Sequence, residues 1–129
     1  MIKEDYVSYE VAKLLKDRGF DEPCHCFYEY KKRLYNDMYK YFPNGMKNSD
    51  HDKEGNKGVS APTHQMACRW LREVYNVVIE INSIWIVGFG YNYIARIVVE
   101  GESKKCLKHY NYYEEAVEAA IKYTLENLI

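Results

Sequence analysis

Cysteine and histidine occur together three times in this chain, as Cys24-His25-Cys26, His64-x-x-x-Cys68 and Cys106-x-x-His109. Thiolate and imidazole are ligands that tetrahedral zinc selects, and an i, i+4 spacing on a helix puts His64 and Cys68 on one face. None of the three spacings is the Cys-x2-Cys pair of common structural zinc sites, and free cysteine is among the residues most often found in cores. The expectation is four reduced thiols, no metal and no cofactor. A cysteine nucleophile would need Cys68 or Cys106 to meet His64 or His109 in space, which sequence spacing does not dictate. There is no Gly-x-Ser-x-Gly, phosphate loop, dinucleotide fingerprint or His-Glu-x-x-His. Gly88-Phe89-Gly90 marks a turn, since no helix follows it to receive a phosphate. No residue is assigned a catalytic role, and the chain is read as a binding protein rather than an enzyme.

A second chemistry is suggested by cations set among rings. Lys31-Lys32-Arg33 is flanked by Tyr28, Tyr30, Tyr35 and Tyr39, and Arg96 shares a β-hairpin with Trp85, Tyr91 and Tyr93. Rings stack on nucleobases while guanidinium or ammonium groups hold phosphates. The candidate ligand-binding residues are therefore Tyr28, Tyr30, Arg33, Trp85, Tyr91, Tyr93 and Arg96. The competing reading is a solvated basic turn and a sheet face covered by a helix. The 14 tyrosines of the 129-residue chain are compatible with either, because a tyrosine ring suits half-buried sheet positions as well as binding sites. A net charge of −1 argues against bulk attraction to nucleic acid or an anionic membrane.

These residues must be positioned by a small α+β domain, for which 129 residues suffice once. Ser8 to Arg18 reads as a helix with Val7, Val11, Leu14 and Leu15 on one stripe, stopped by Gly19 with Phe20 closing behind it. Asp21-Glu22-Pro23 turns into a strand over 24–30. Lys31 to Phe42 fits either a second strand or a short helical stripe. Pro43 to Gly58 holds three glycines among Asn, Asp, Lys and Ser, and its scarcity of apolar side chains predicts a mobile loop at about 43–58.

From Ala61 onward the periodicity is clearer. Thr63 caps a helix running to about Tyr75, with Ala67, Trp70, Leu71 and Val74 on its apolar face and Asn76 as its stop. Strands follow over 77–87, 93–100 and 104–110, the last polar enough to be an edge. Asn111 is expected to cap a final helix that opens on Glu114 and Glu115 and buries Tyr113, Val117, Ala120, Ile121, Thr124, Leu125 and Leu128. The fold class is α+β. An N-terminal helix and strand precede α-β-β-β-α, whose antiparallel meander is packed by helices on one face, all in a single domain over 1–129.

The α-β-β-β-α order resembles the double-stranded-RNA-binding domain, as do Glu115-Ala116 and Ala119-Ala120 ahead of Leu125 and Leu128. That family opens this helix with a lysine cluster for phosphates, where this chain has Tyr112, Tyr113, Glu114 and Glu115. Similar topology without double-stranded nucleic acid binding is expected. Over most of its length the chain also resembles small uncharacterised proteins of gut bacteria and their phages. That resemblance rests on Tyr6-Val7-Ser8, Glu10-Val11-Ala12-Lys13-Leu14-Leu15, Gly19-Phe20, Ala61-Pro62-Thr63, Ala67, Trp70-Leu71-Arg72-Glu73, Tyr113-Glu114-Glu115-Ala116 and Glu118-Ala119-Ala120-Ile121. It implies a phage-type protein acting in the cytoplasm of a bacterial host. The leading expectation is an anti-defence sponge sequestering a cyclic nucleotide or another small host ligand. The alternative is an interaction module or inhibitor of a host protein that uses a tyrosine-rich surface. The charged opening Met1-Ile2-Lys3-Glu4-Asp5 and the lack of a long apolar run predict no membrane association, and a homodimer is the default assembly.

Overall fold

The computed structural model describes residues 2–29, 33–36, 38–53 and 58–129. The chain is α+β and divides into two compact units, residues 1–63 and 64–129, each with its own three-stranded antiparallel sheet.

In the first unit, α1 spans Tyr9–Asp17. The extended Ser8 accepts a bond from the Val11 N–H at 3.2 Å, which satisfies one of the amides a helix start leaves open. At the other end Gly19 adopts φ 91°, the Gly19 N–H donates to the Lys16 carbonyl, and the Phe20 N–H donates to the Leu15 carbonyl. This paired arrangement closes the helix as the Gly19-Phe20 sequence predicts, and Phe20 is buried behind it. Val7, Val11, Ala12 and Leu15 form the buried stripe of α1, which packs on β3, Val59–Ser60.

β3 pairs with β1, Phe27–Glu29, and β1 pairs with β2, Arg33–Tyr35, giving the order β2-β1-β3. The described part of the segment from Lys31 to Phe42 thus holds the strand alternative, followed by a 3-10 turn at Met38–Lys40 in place of a helical stripe, since Leu34 lies in β2. The strand expected over 24–30 is shorter, with Cys24 forming an isolated bridge to Met46.

The described part of the segment read as a mobile loop is organised differently from that expectation. It contains α2, Asn48–Lys53, and buries Met46, Asn48 and His51. The ordering rests largely on polar side chains bonded across the unit, which apolar periodicity does not reveal. The Asn48 amide donates to the Phe20 carbonyl at 2.7 Å, and its oxygen accepts from the Ser60 N–H at 2.9 Å. Asp21 accepts from the Ser49 N–H at 2.8 Å and from the Ser49 hydroxyl at 2.9 Å. Residues 54–57 lie outside the described residues.

The second unit follows the predicted α-β-β-β-α order: α3 (His64–Tyr75), β4 (Val77–Ile86), β5 (Gly90–Val99), β6 (Glu102–Tyr110) and α4 (Tyr113–Asn127). The sheet order is β4-β5-β6, a meander with β6 at an edge. Asn76 takes φ 58°, the left-handed stop that ends α3. Glu100 and Gly101 both have positive φ between the paired Val99 and Glu102, so a two-residue turn starts β6 two residues sooner than expected. The cap of α4 also differs from expectation. Tyr112, rather than Asn111, is the N-cap and makes no side-chain cap bond. Ala67, Trp70 and Leu71 of α3, and Ala116, Val117, Ala120, Ile121 and Leu125 of α4, are buried with Val77, Ala95 and Ile97 of the sheet. Both helices therefore pack on the sheet, as their apolar stripes require.

Candidate functional site

Strand periodicity decides which candidate residues meet. Val77, Ile79, Ile81, Ser83 and Trp85 point to one side of β4, and their register partners on β5 are Val99, Ile97, Ala95, Tyr93 and Tyr91. Ala95 and Ile97 are fully buried, which makes this the helix-covered side. Tyr93 lies edge-on to Tyr113, the first residue of α4, at 5.9 Å between ring centres. Beyond that point the hairpin continues without helix cover. Trp85 and Tyr91 meet edge-on at 5.1 Å, and Tyr91 stacks on Tyr93 at 6.4 Å. Three of the predicted residues, Trp85, Tyr91 and Tyr93, thus form one ladder of rings at the outer end of the hairpin.

Arg96 does not join them. It sits opposite Glu80 on the other side of the sheet, and the two side chains are bonded at 2.7 Å. On a two-residue period an even-numbered arginine cannot share a wall with rings at 91 and 93 of the same strand. Sharing a hairpin was visible in sequence, but sharing a face depended on parity.

The N-terminal candidates are also separated. The Tyr28 hydroxyl donates to the Val7 carbonyl at 2.7 Å and its ring meets Tyr9 edge-on, so it is part of the packing of its unit. Arg33 is exposed on β2, with its guanidinium 5.3 Å from the centre of the Tyr35 ring. Tyr30, Lys31 and Lys32 lie outside the described residues.

The cysteines and histidines follow their surroundings. Burial pushes the Cys24 thiol up to about 12, with Cys26 and Glu22 adding to the shift, and burial pushes the Cys68 thiol up to about 11. A protonated thiol is a poor nucleophile and a poor ligand. His64 Nε2 is 3.0 Å from Glu118, tying the start of α3 to α4, and His109 Nδ1 is 3.1 Å from the Asn92 amide oxygen. His25 stacks on Tyr39 at 3.8 Å. Among the described residues no group of three or more His, Cys, Asp or Glu side chains is placed to hold a metal ion, and no helix is long and apolar enough to cross a membrane.

The feature that sequence reasoning underrated is the hairpin end itself. Trp85 is 62% exposed, Val87 86%, Phe89 89% and Tyr91 57%, with Ile84 and Ile86 also open to solvent. The turn at this end is set by glycine: the Phe89 N–H donates to the Ile86 carbonyl at 3.0 Å, and Gly88 between them takes φ 87°. The signal was present in the run Ile84-Trp85-Ile86-Val87-Gly88-Phe89, which is apolar on both strand faces with no helix long enough to cover it. No family model matches the chain, and no curated protein or solved structure matches it significantly.

Proposed function

We propose that this protein is a binding module that grips a partner protein through the outer end of the β4–β5 hairpin. One observation carries the reading: Val87 and Phe89 are almost fully exposed beside the Trp85–Tyr91 ring pair, on a regular two-stranded support. Exposed apolar clusters of this kind mark interaction surfaces, and aromatic anchors dominate binding energy when they enter a pocket. In the phage setting that the sequence resemblance implies, the partner is a host protein that the module occupies or inhibits. The experiment is affinity capture with the full chain, identification of the bound protein, and calorimetry of that pair with wild type, Val87→Ser and Phe89→Ser. An anchor role predicts at least a tenfold loss of affinity for Phe89→Ser, about 1.4 kcal/mol or more. Wild-type affinity in both variants sinks the reading.

A cyclic-nucleotide sponge is the second reading, and its support is the Arg33–Tyr35 pair, where a predicted site cation lies against a ring. A thermal-shift series with cyclic di- and trinucleotides tests it. A true ligand at a hundredfold excess over its Kd adds about 2.7 kcal/mol of stability, and Arg33→Ala abolishes the gain. No shift with any nucleotide removes this reading and leaves the first in place.

A further inference from the structure

The sheet of the second unit has two edges, and the sequence treats them differently. β6 carries Lys104, Lys105 and Lys108, its pairing with β5 breaks register in two places, and His109 sits at φ 72°. Lysines and bulges prevent an edge from accepting another strand. β4 lacks these devices. It pairs with β5 without a break from Val77 to Ile86 and contains neither proline nor lysine. Among the described residues no strand lies on its other side. Its single charged residue, Glu80, is neutralised by Arg96. A long, regular, apolar edge with no protection is a template for strand addition.

The order of side chains along β4 selects the added strand. On the side away from the helices it reads Val78, Glu80, Asn82, Ile84, that is apolar, polar, polar, apolar. Residues directly opposite one another in an antiparallel pair share a face. Antiparallel pairing of β4 with a second copy of itself about Ile81 therefore sets Val78 against Ile84 of the copy and Glu80 against Asn82 of the copy. On the helix side it sets Val77 against Trp85, Ile79 against Ser83 and Ile81 against itself. Val78 at 38%, Ile84 at 41% and Trp85 at 62% exposure all leave water, and no Glu80 faces another Glu80. This palindrome of polarity is what a two-fold contact requires. We propose that β4 is a homodimer interface, in which two copies join edge to edge into a six-stranded antiparallel sheet with its two-fold axis at Ile81. Val87 and Phe89 extend past the paired segment, so the dimer presents two hairpin ends and its existence is independent of what they bind.

The test is sedimentation equilibrium of the full chain as wild type, Asn82→Glu and Asn82→Lys. Asn82 is exposed, so both substitutions are compatible with folding, which circular dichroism checks. The wild type is expected at twice the 15.3 kDa protomer mass. Asn82→Glu puts two carboxylate pairs across the axis and weakens dimerisation by about tenfold or more, whereas Asn82→Lys replaces them with two opposite-charge pairs and leaves the dimer at least as tight. A monomeric wild type at high micromolar concentration overturns the proposal, as do two variants that shift association in the same direction. Neither result affects the Phe89→Ser binding experiment.

Discussion

The two units reach order by different means. In the second, long strands and two helices with apolar stripes bury Leu71, Ile97, Ile121 and Leu125 completely, and the periodicity of the sequence maps directly onto the packing. In the first, the strands Phe27–Glu29, Arg33–Tyr35 and Val59–Ser60 are short, α1 is capped by Ser8, and α2 is held by Asn48 and Asp21, whose side chains bond to backbone. Apolar burial is non-directional and tolerates imprecision, whereas a buried amide works only with both partners in place. The first unit should therefore be brittle at a few polar positions, and the second at its apolar ones.

The largest expected effect tests the second unit. Ile121→Ala or Leu71→Ala removes a fully buried branched side chain between helix and sheet, which should cost about 2–5 kcal/mol in urea unfolding. A loss under 1 kcal/mol would show that this core can collapse around the gap and would weaken the contrast. Next comes Asn48→Ala in the first unit. It removes the acceptor of the buried Ser60 N–H and one donor to the Phe20 carbonyl, at a cost of about 1–3 kcal/mol. Amide exchange should rise in the first unit. Unchanged exchange at Ser60 would mean that the Asn48 bridge is not what orders the segment.

A smaller effect comes from Asp21, where pH supplies the readout. The Ser49 backbone N–H holds its carboxyl below the ordinary value of 3.8. A carboxylate depressed in the folded state stabilises the fold above its unfolded pKa, and that stability is lost as pH falls through the folded one. The melting temperature of the wild type should therefore fall more steeply below about pH 4 than that of Asp21→Asn. At neutral pH the substitution should cost less than about 1 kcal/mol, because the Asn oxygen can still accept from the Ser49 N–H. Parallel acid limbs in the two proteins would remove Asp21 from the account.

The same contrast explains what could be read in advance. The α-β-β-β-α order, the Ser8 cap, the Gly19-Phe20 close and the edge position of β6 were legible because each follows from local spacing or a local backbone requirement. The organisation of residues 46–53 was not, because it depends on bonds between positions distant in sequence, Asn48 with Phe20 and Ser60, and Ser49 with Asp21. Among the candidate site residues, Trp85, Tyr91 and Tyr93 came together because they share strand parity across one hairpin. Arg96 was grouped with them by proximity, and the alternation of strand faces sends it to Glu80. Tyr28 reads in sequence as a ligand-binding ring, and in the structure its hydroxyl donates to the Val7 carbonyl. Nothing in its immediate sequence names that acceptor.

The smallest expected effect on stability sharpens the comparison most. Phe89 is 89% exposed, so Phe89→Ser removes almost no burial and should shift stability by no more than about 0.5 kcal/mol. If the hairpin end were part of the fold, the same substitution would cost as much as a core truncation. A near-silent melt combined with lost partner binding separates the two roles within one unit. The rows of Ala95 and Ile97 build the sheet, and on that outcome the apolar side chains four residues further along the same strands serve something outside it. Fold and function then divide along the length of β4 and β5, at the point where Tyr113 and the start of α4 stop covering them.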